Sequence, residues 1–264
     1  MEIVETAEAF KRGADGKLYF HHTEGIVRYE NKVFTARWNG REITPVEFAH
    51  LENPVLLETE DRGPLVKPSW TLAPPDGSYY IKTPSLSAYQ GDVQNLILRE
   101  IETYETLKQY PHPNIIHYYG YREKNGRVSG LCLQQCATTL AEMVDPGHLN
   151  KSEFLSSGRL LVDDTIRLND IRSAIHHLHS LGLVHNDITP SNIFIAEDGK
   201  LVLGDFDSSC RNGTPLSDVS TGTKRTHGWH DPDVSVASQK NDLDAVDELD
   251  TWLFGSSDED FLFK

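Results

Sequence analysis

Apolar and polar residues alternate through residues 1–66, most clearly in Leu18-Tyr-Phe20, Ile26-Val-Arg-Tyr29 and Val33-Phe-Thr-Ala-Arg-Trp38. A period of two predicts short, half-buried strands, here with a turn at Asn39-Gly40. Thr44-Pro45-Val-Glu47 reads as a helix start, with Thr as cap, Pro at the first helical position and Glu at the third. Pro64, Pro68, Pro74 and Pro75 punctuate the passage to Ser78-Tyr-Tyr-Ile-Lys-Thr83, a further strand. The period then changes. From Gln94 to Lys108, Ile97, Ile101, Tyr104 and Leu107 recur at helical spacing, until Tyr110-Pro-His-Pro-Asn114 ends the helix. Ile115-Ile-His-Tyr-Tyr119 and Val128-Ser-Gly-Leu-Cys-Leu133 read as a strand pair around Lys124-Asn-Gly126. Thr165 to Leu181 is an amphipathic helix with Ile171, Ala174, Ile175 and Leu178 on one face. Two short β-rich runs, Ile193-Phe-Ile-Ala and Leu201-Val-Leu-Gly, flank Glu197-Asp-Gly-Lys200, whose Asp-Gly predicts a hairpin. Asn241 to Leu253 is a last helix, and no internal repeat is visible.

Composition narrows the classes. A chain of 264 residues with 38% hydrophobic content fills one two-lobed domain or two small ones. Its net charge of −15 argues against nucleic acid as a partner, since phosphate backbones demand a Lys/Arg face, and disfavours an anionic membrane surface. No apolar run approaches the length of a membrane span. Met1-Glu-Ile-Val-Glu-Thr-Ala-Glu lacks the basic start and apolar core of a secretory signal. Cys132, Cys136 and Cys210 are odd in number and form no disulfide framework, so an intracellular, reducing compartment (cytoplasm or nucleus) is expected. The acids from Asp242 to Asp260, against the single base Lys264, read as a solvated helix face and tail.

The candidate chemistry lies around the hairpin. Asp187 stands five residues before Asn192, and Asp205 follows Asn192 at thirteen. A hairpin folds its ends together, so Asn192 and Asp205 should lie side by side with Asp187 close by. Two carboxylates and a carboxamide in one place suit phosphoryl transfer. One acid orients the attacking hydroxyl, while the amide and the other acid hold Mg²⁺ against ATP phosphates.

Leu183-Val-His-Asn-Asp187-Ile-Thr-Pro-Ser-Asn192 and Gly204-Asp205-Phe-Asp207 resemble the catalytic loop and metal loop of protein kinases. The form Asp205-Phe-Asp-Ser-Ser-Cys210 is most similar to small fungal kinase-like proteins. The resemblance runs from about residue 78 to residue 255. It implies an α+β, two-lobed protein-kinase-like fold. Residues 1–66 would be a β-rich extension, 67–136 the N-lobe and 137–264 a shortened C-lobe. It further implies that Lys82 reaches the α- and β-phosphates of ATP. Its partner on the following helix is Glu100 or Glu102, and the pattern Glu100-Ile with Leu107 favours Glu100. Leu133 would be the gatekeeper, Gln134 and Cys136 would offer a carbonyl and an N–H to adenine, and Phe194 would also touch the nucleotide. Asp187 would be the base, and Asn192 and Asp205 the Mg²⁺ ligands. Asp242 resembles an acid that ties its helix to the catalytic loop, or is a plain helix cap. The acceptor would be a hydroxyl on a protein or a small molecule.

Several positions depart from that pattern. Asn186 replaces an Arg that reads a phosphate in the activation segment, and Thr189 replaces a Lys that steadies the γ-phosphate. No Gly-x-Gly-x-x-Gly precedes Lys82; only Gly63 and Gly77 are near, which predicts weaker phosphate binding. Tyr80 occupies the place of a small Ala, where a phenol is expected to narrow the adenine pocket. Asp207 replaces a Gly and either adds a carboxylate to the metal or stiffens the turn. The chain ends soon after its last helix, which argues against the usual docking platform for peptides. Two readings follow: an active phosphotransferase, or a pseudokinase that serves as a nucleotide- or protein-binding scaffold.

Overall fold

The computed structural model describes residues 1–13, 18–41, 47–57, 63–83, 93–157, 168–217, 225–255 and 260–263. It divides into two compact units, Met1–Arg62 with Pro84–Val93, and Gly63–Thr83 with Gln94–Lys264.

The first unit is an antiparallel meander of β1 (Glu2–Arg12), β2 (Leu18–Tyr29), β3 (Lys32–Trp38) and β4 (Glu52–Leu57), in that spatial order. Glu30 and Asn31 turn β2 into β3 with φ of 48° and 61°, the left-handed pair that a two-residue hairpin loop requires. Val27, Ala36, Trp38 and Leu51 form its small core. Strand β1 did not stand out in the sequence. Glu2, Glu5 and Glu8 recur every third residue, and irregularities in the pairing with β2 break the alternation. Thr44-Pro45-Val46, the expected helix start, lies outside the described residues; from Glu47 the chain makes one 3-10 turn, Phe48–His50.

The second unit has two lobes. Its upper sheet is β5 (Tyr80–Lys82), β7 (Arg127–Leu133) and β6 (Tyr118–Lys124), in the order β5-β7-β6, and α1 (Val93–Gln109) follows β5 in the chain. The turn between β6 and β7 is the expected Asn125-Gly126, with φ of 53° and 75°. Strand β6 begins only at Tyr118, later than expected. Ile115 and Ile116 instead bury against the other lobe, where Ile116 N–H donates to Leu203 O at 2.9 Å. The lower lobe follows with β8 (Thr138–Thr139), α2 (Leu140–Val144), α3 (Lys151–Ser156), α4 (Leu168–Ser180) and β9 (Leu183–Val184). It continues through β10 (Ile193–Ile195), β11 (Leu201–Leu203), β12 (Cys210–Arg211) and α5 (Gln239–Phe254).

Helix α4 buries Ile171, Ala174, Ile175 and Leu178, the face expected from its period; residues 165–167 lie outside the described part. Helices α2 and α3 were not foreseen. Each is opened by a capping box, Thr139 with Glu142 and Asn150 with Glu153, and that spacing was the available signal. Strands β10 and β11 pair as the expected hairpin, Ile193 opposite Leu203, so its two ends meet.

Candidate active site

Strand β5 pairs antiparallel with β7, which sets Lys82 opposite Leu131 in the sheet facing α1 and the hairpin. Its ammonium meets two carboxylates, Glu100 Oε1 at 2.6 Å and Asp205 Oδ1 at 2.7 Å. Glu100 lies on the buried side of α1. Glu102, two residues round the helix, instead pairs with Lys67 at 2.6 Å. Burial opposes the charge of Lys82, but Glu100 and Asp205 outweigh it and hold its pKa well above the ordinary lysine value. Burial pushes the Glu100 carboxyl up to about 7, against the pull of Lys82, and the nearby Asp205 charge adds to the rise. One ammonium thus serves two acids.

The hairpin ends bring the loop residues together. Asn192 Nδ2 donates to the backbone carbonyl of Asp187 at 2.9 Å and to its Oδ2 at 3.0 Å. The other carboxylate oxygen of Asp187 accepts the Thr226 N–H at 2.8 Å. This contact was not read from the sequence, because it joins residues 39 apart that no local pattern links. Asp242 sits in the first turn of α5, fully buried. It accepts from His185 N–H at 2.9 Å, from Asn186 N–H at 2.8 Å and from His179 Nε2 at 2.8 Å. It ties the helix to the loop, and Ser238, not Asp242, is the helix cap.

A chain of ring contacts links the lobes. Tyr118 stacks on Tyr104 at 5.2 Å between centroids, Tyr104 meets Phe206 at 5.3 Å, and Phe206 meets His185 at 5.0 Å. Phe206 is fully buried there, which points the chain so that Asp205, at φ 59°, turns toward Lys82.

A cleft of about 620 Å³ opens beside these groups, lined by Tyr80, Lys82, Leu133, Cys136, Phe194 and Asp205 among others. Gln134 N–H donates to His117 O at 2.8 Å, while its carbonyl meets the Cys136 thiol at 4.0 Å. Tyr80 stands in the wall of this cleft, 56% exposed.

Residues 76–256 match the family model of the protein kinase domain. The chain belongs to the protein kinase family. Similar proteins include the serine/threonine-protein kinase/endoribonuclease IRE1 of Oryza sativa subsp. japonica, 28% identical over 60% of this chain and 19% of that protein. Myosin-IIIa of Mus musculus is 26% identical over 62% of this chain and 10% of its own length. The serine/threonine-protein kinase Tao of Drosophila melanogaster is 28% identical over 60% of this chain and 14% of its own. The kinase chain therefore spans between a tenth and a fifth of the length of these curated relatives. The family uses ATP and a divalent metal.

The donor set of this kinase fits such a metal. Asn192 spends its NH₂ on Asp187, which leaves its carbonyl oxygen as a hard donor, and Asp205 adds a carboxylate. Among the described residues no group of three or more His, Cys, Asp and Glu gathers, so the fit is to a cation that keeps water and phosphate oxygens. Where other kinases carry Arg, Asn186 is a buried brace. It adopts φ 65°, and its Nδ2 lies within 3.3 Å of Val184 O, Ser208 O and Cys210 Sγ, while its Oδ1 accepts from Asn241. Gly63 packs against the backbone of Val128, in the upper sheet rather than over the cleft. Among the described residues no helix is long and apolar enough to cross a membrane.

Proposed function

We propose that this kinase domain is an active ATP- and Mg²⁺-dependent phosphotransferase that passes the γ-phosphoryl group to a hydroxyl acceptor. The observation that carries this reading is Lys82 held between Glu100 and Asp205. A flexible ammonium is pinned where phosphates would lie, and each neighbouring acid is already in position. In this reading Lys82 orients the α- and β-phosphates. Asn192 and Asp205 hold the cation, which when bound neutralises charge on the phosphate oxygens. Asp187 accepts the hydroxyl proton as the acceptor oxygen bonds to the γ-phosphorus and the bond to the β-phosphate oxygen breaks, releasing ADP. The carbonyl of Gln134 and the N–H of Cys136 pair with the base. Relatives named as serine/threonine-protein kinases support a protein Ser/Thr as acceptor, with a small molecule as the other option. The run from Asp205 to Cys210 supports kinship with small fungal kinase-like proteins.

Asp187→Asn tests the reading. Turnover, measured as autophosphorylation or slow ATP hydrolysis, should fall by roughly two to four powers of ten while Mg·ATP binding survives. Equal background rates in both proteins, despite clear Mg·ATP binding, would favour the scaffold reading. That alternative draws support from Thr226, whose N–H already occupies one oxygen of the proposed base. Equal and substantial rates would remove Asp187 from the chemistry.

A further inference from the structure

The proposed base is aimed from two sides. Asn192 Nδ2 bonds one carboxylate oxygen of Asp187 at 3.0 Å, and the Thr226 N–H bonds the other at 2.8 Å. Together they fix the plane of the carboxylate, and each oxygen keeps a lone pair for an acceptor hydroxyl. Asn192 is fixed by the hairpin that it opens. Thr226 has a different anchor, because it opens a tight turn. Its carbonyl accepts the Trp229 N–H at 3.1 Å, and Gly228, third in the turn, adopts φ 78°. That is the pattern of a type II turn, whose third place suits glycine.

Lys151, the first residue of α3, holds the other end of that turn. Its ammonium donates to the Gly228 carbonyl and lies 4.6 Å from the centre of the Trp229 ring. An ammonium has three donors. The other two meet the Glu248 carboxylate of α5 and the Phe263 carbonyl, the latter at 3.3 Å. The rings of Phe261 and Phe263 stand 5.0 and 6.0 Å from the same nitrogen, and Glu248 also accepts the Leu262 N–H at 2.6 Å. One cation thus joins α3, α5, residues 261–263 and the turn at Thr226. Neither Lys151 nor this turn is part of the nucleotide cleft wall. Glu248 is wholly buried and the Lys151 side chain 16% exposed, and a pair so desolvated is a weak source of stability. What it supplies is direction, because acceptors from three separate segments converge on one nitrogen.

We propose that Lys151 is a positioning residue for the base. Through Gly228 and the turn it holds the Thr226 N–H on Asp187, and so sets the direction in which Asp187 takes the acceptor proton. The inference rests on the base assignment proposed above and adds a residue that touches neither nucleotide nor acceptor.

Removing Lys151 alone would leave Glu248 buried and unpaired, so the test uses Lys151→Met combined with Glu248→Gln, whose amide oxygen can still accept the Leu262 N–H. In ATP hydrolysis by the full chain, kcat of this double variant should fall by about tenfold to about a hundredfold, the scale of a small misplacement of a reacting group, with the KM for Mg·ATP unchanged. Because the effect runs through Asp187, adding the pair to Asp187→Asn should cost less than about twofold more. Amide exchange gives a readout without turnover: the Thr226 N–H should exchange faster than in wild type, while the amides of α4 exchange alike. If the double variant unfolds, Lys151→Gln, which shortens the side chain and keeps an N–H for Glu248, is read in the same three ways. A folded variant with wild-type kcat would overturn the positioning role and leave Asp187 standing as the base. So would a loss that multiplies in full on Asp187→Asn, or a Thr226 amide as protected as in wild type. Wild type at background turnover would end the activity and the positioning role together.

Discussion

At the scale of single residues, Lys82 and its two acids form the charged centre of the proposed site and make it sensitive to pH. The Glu100 carboxyl is pushed up to about 7 by burial, while in an unfolded chain it releases its proton near about 4.3. Between those values the folded protein holds a proton that the unfolded chain has lost. This group therefore lowers stability as pH rises through that window and adds no slope above it. Urea midpoints at pH 5 and pH 7.5 should drop more for wild type than for Glu100→Gln, which cannot titrate. Equal drops would mean that Glu100 ionises in the fold as it does in water. Lys82→Met makes a second prediction. It removes a cation shared by Glu100 and Asp205, so the KM for Mg·ATP should rise and kcat should fall together. A change in kcat alone would place Lys82 off the ground-state nucleotide.

At the scale of elements, the hairpin and α5 hold the loop between them. The pairing of β10 with β11 closes the distance between Asn192 and Asp205, and Asp242 fastens the backbone at His185 and Asn186 from the other side. Asp242 is fully buried with three donors aimed at it, so Asp242→Ala leaves those donors unsatisfied. A stability loss of about 3 kcal/mol is expected, read as a lower urea midpoint, with Mg·ATP binding weakened as the loop loosens. A loss below about 1 kcal/mol would show that water replaces the carboxylate at little cost. The hairpin was legible from Asp198-Gly199 and its flanking β-rich runs, because turn chemistry and alternation are local. Helices α2 and α3 escaped a search for apolar period because each is too short, at five and six residues, to show one.

At the scale of the whole molecule, charge opposes the ligand. The chain carries −15 and Mg·ATP is itself anionic, so the long-range field repels nucleotide while the local Lys82 attracts it. Salt screens the first over about 10 Å at 0.1 M and barely touches the second. The association rate of Mg·ATP in stopped flow should therefore rise as salt goes from low ionic strength to 0.15 M. A falling rate would show that a positive local field at the cleft governs the encounter.

The sequence by itself determined what short spacings can determine. Asp187 and Asn192 are five residues apart, and a local turn returns the chain from Asn192 to Asp205, so this part of the site is written in the order of residues alone. The kinase family was legible for the same reason, since its loops are written as contiguous motifs. Tertiary structure alone decided the rest. Lys82 and Asp205 are 123 residues apart, and Thr226 lies 39 beyond Asp187. The motif favoured Glu100 over Glu102, but the use of Asn186 as a brace followed from burial against β12 and α5. The position of Tyr80 in the cleft wall depended on the pairing of β5 with β7, which sets it opposite Leu133. Such facts depend on packing between distant segments, where many residues compete for one space and no local rule names the winner.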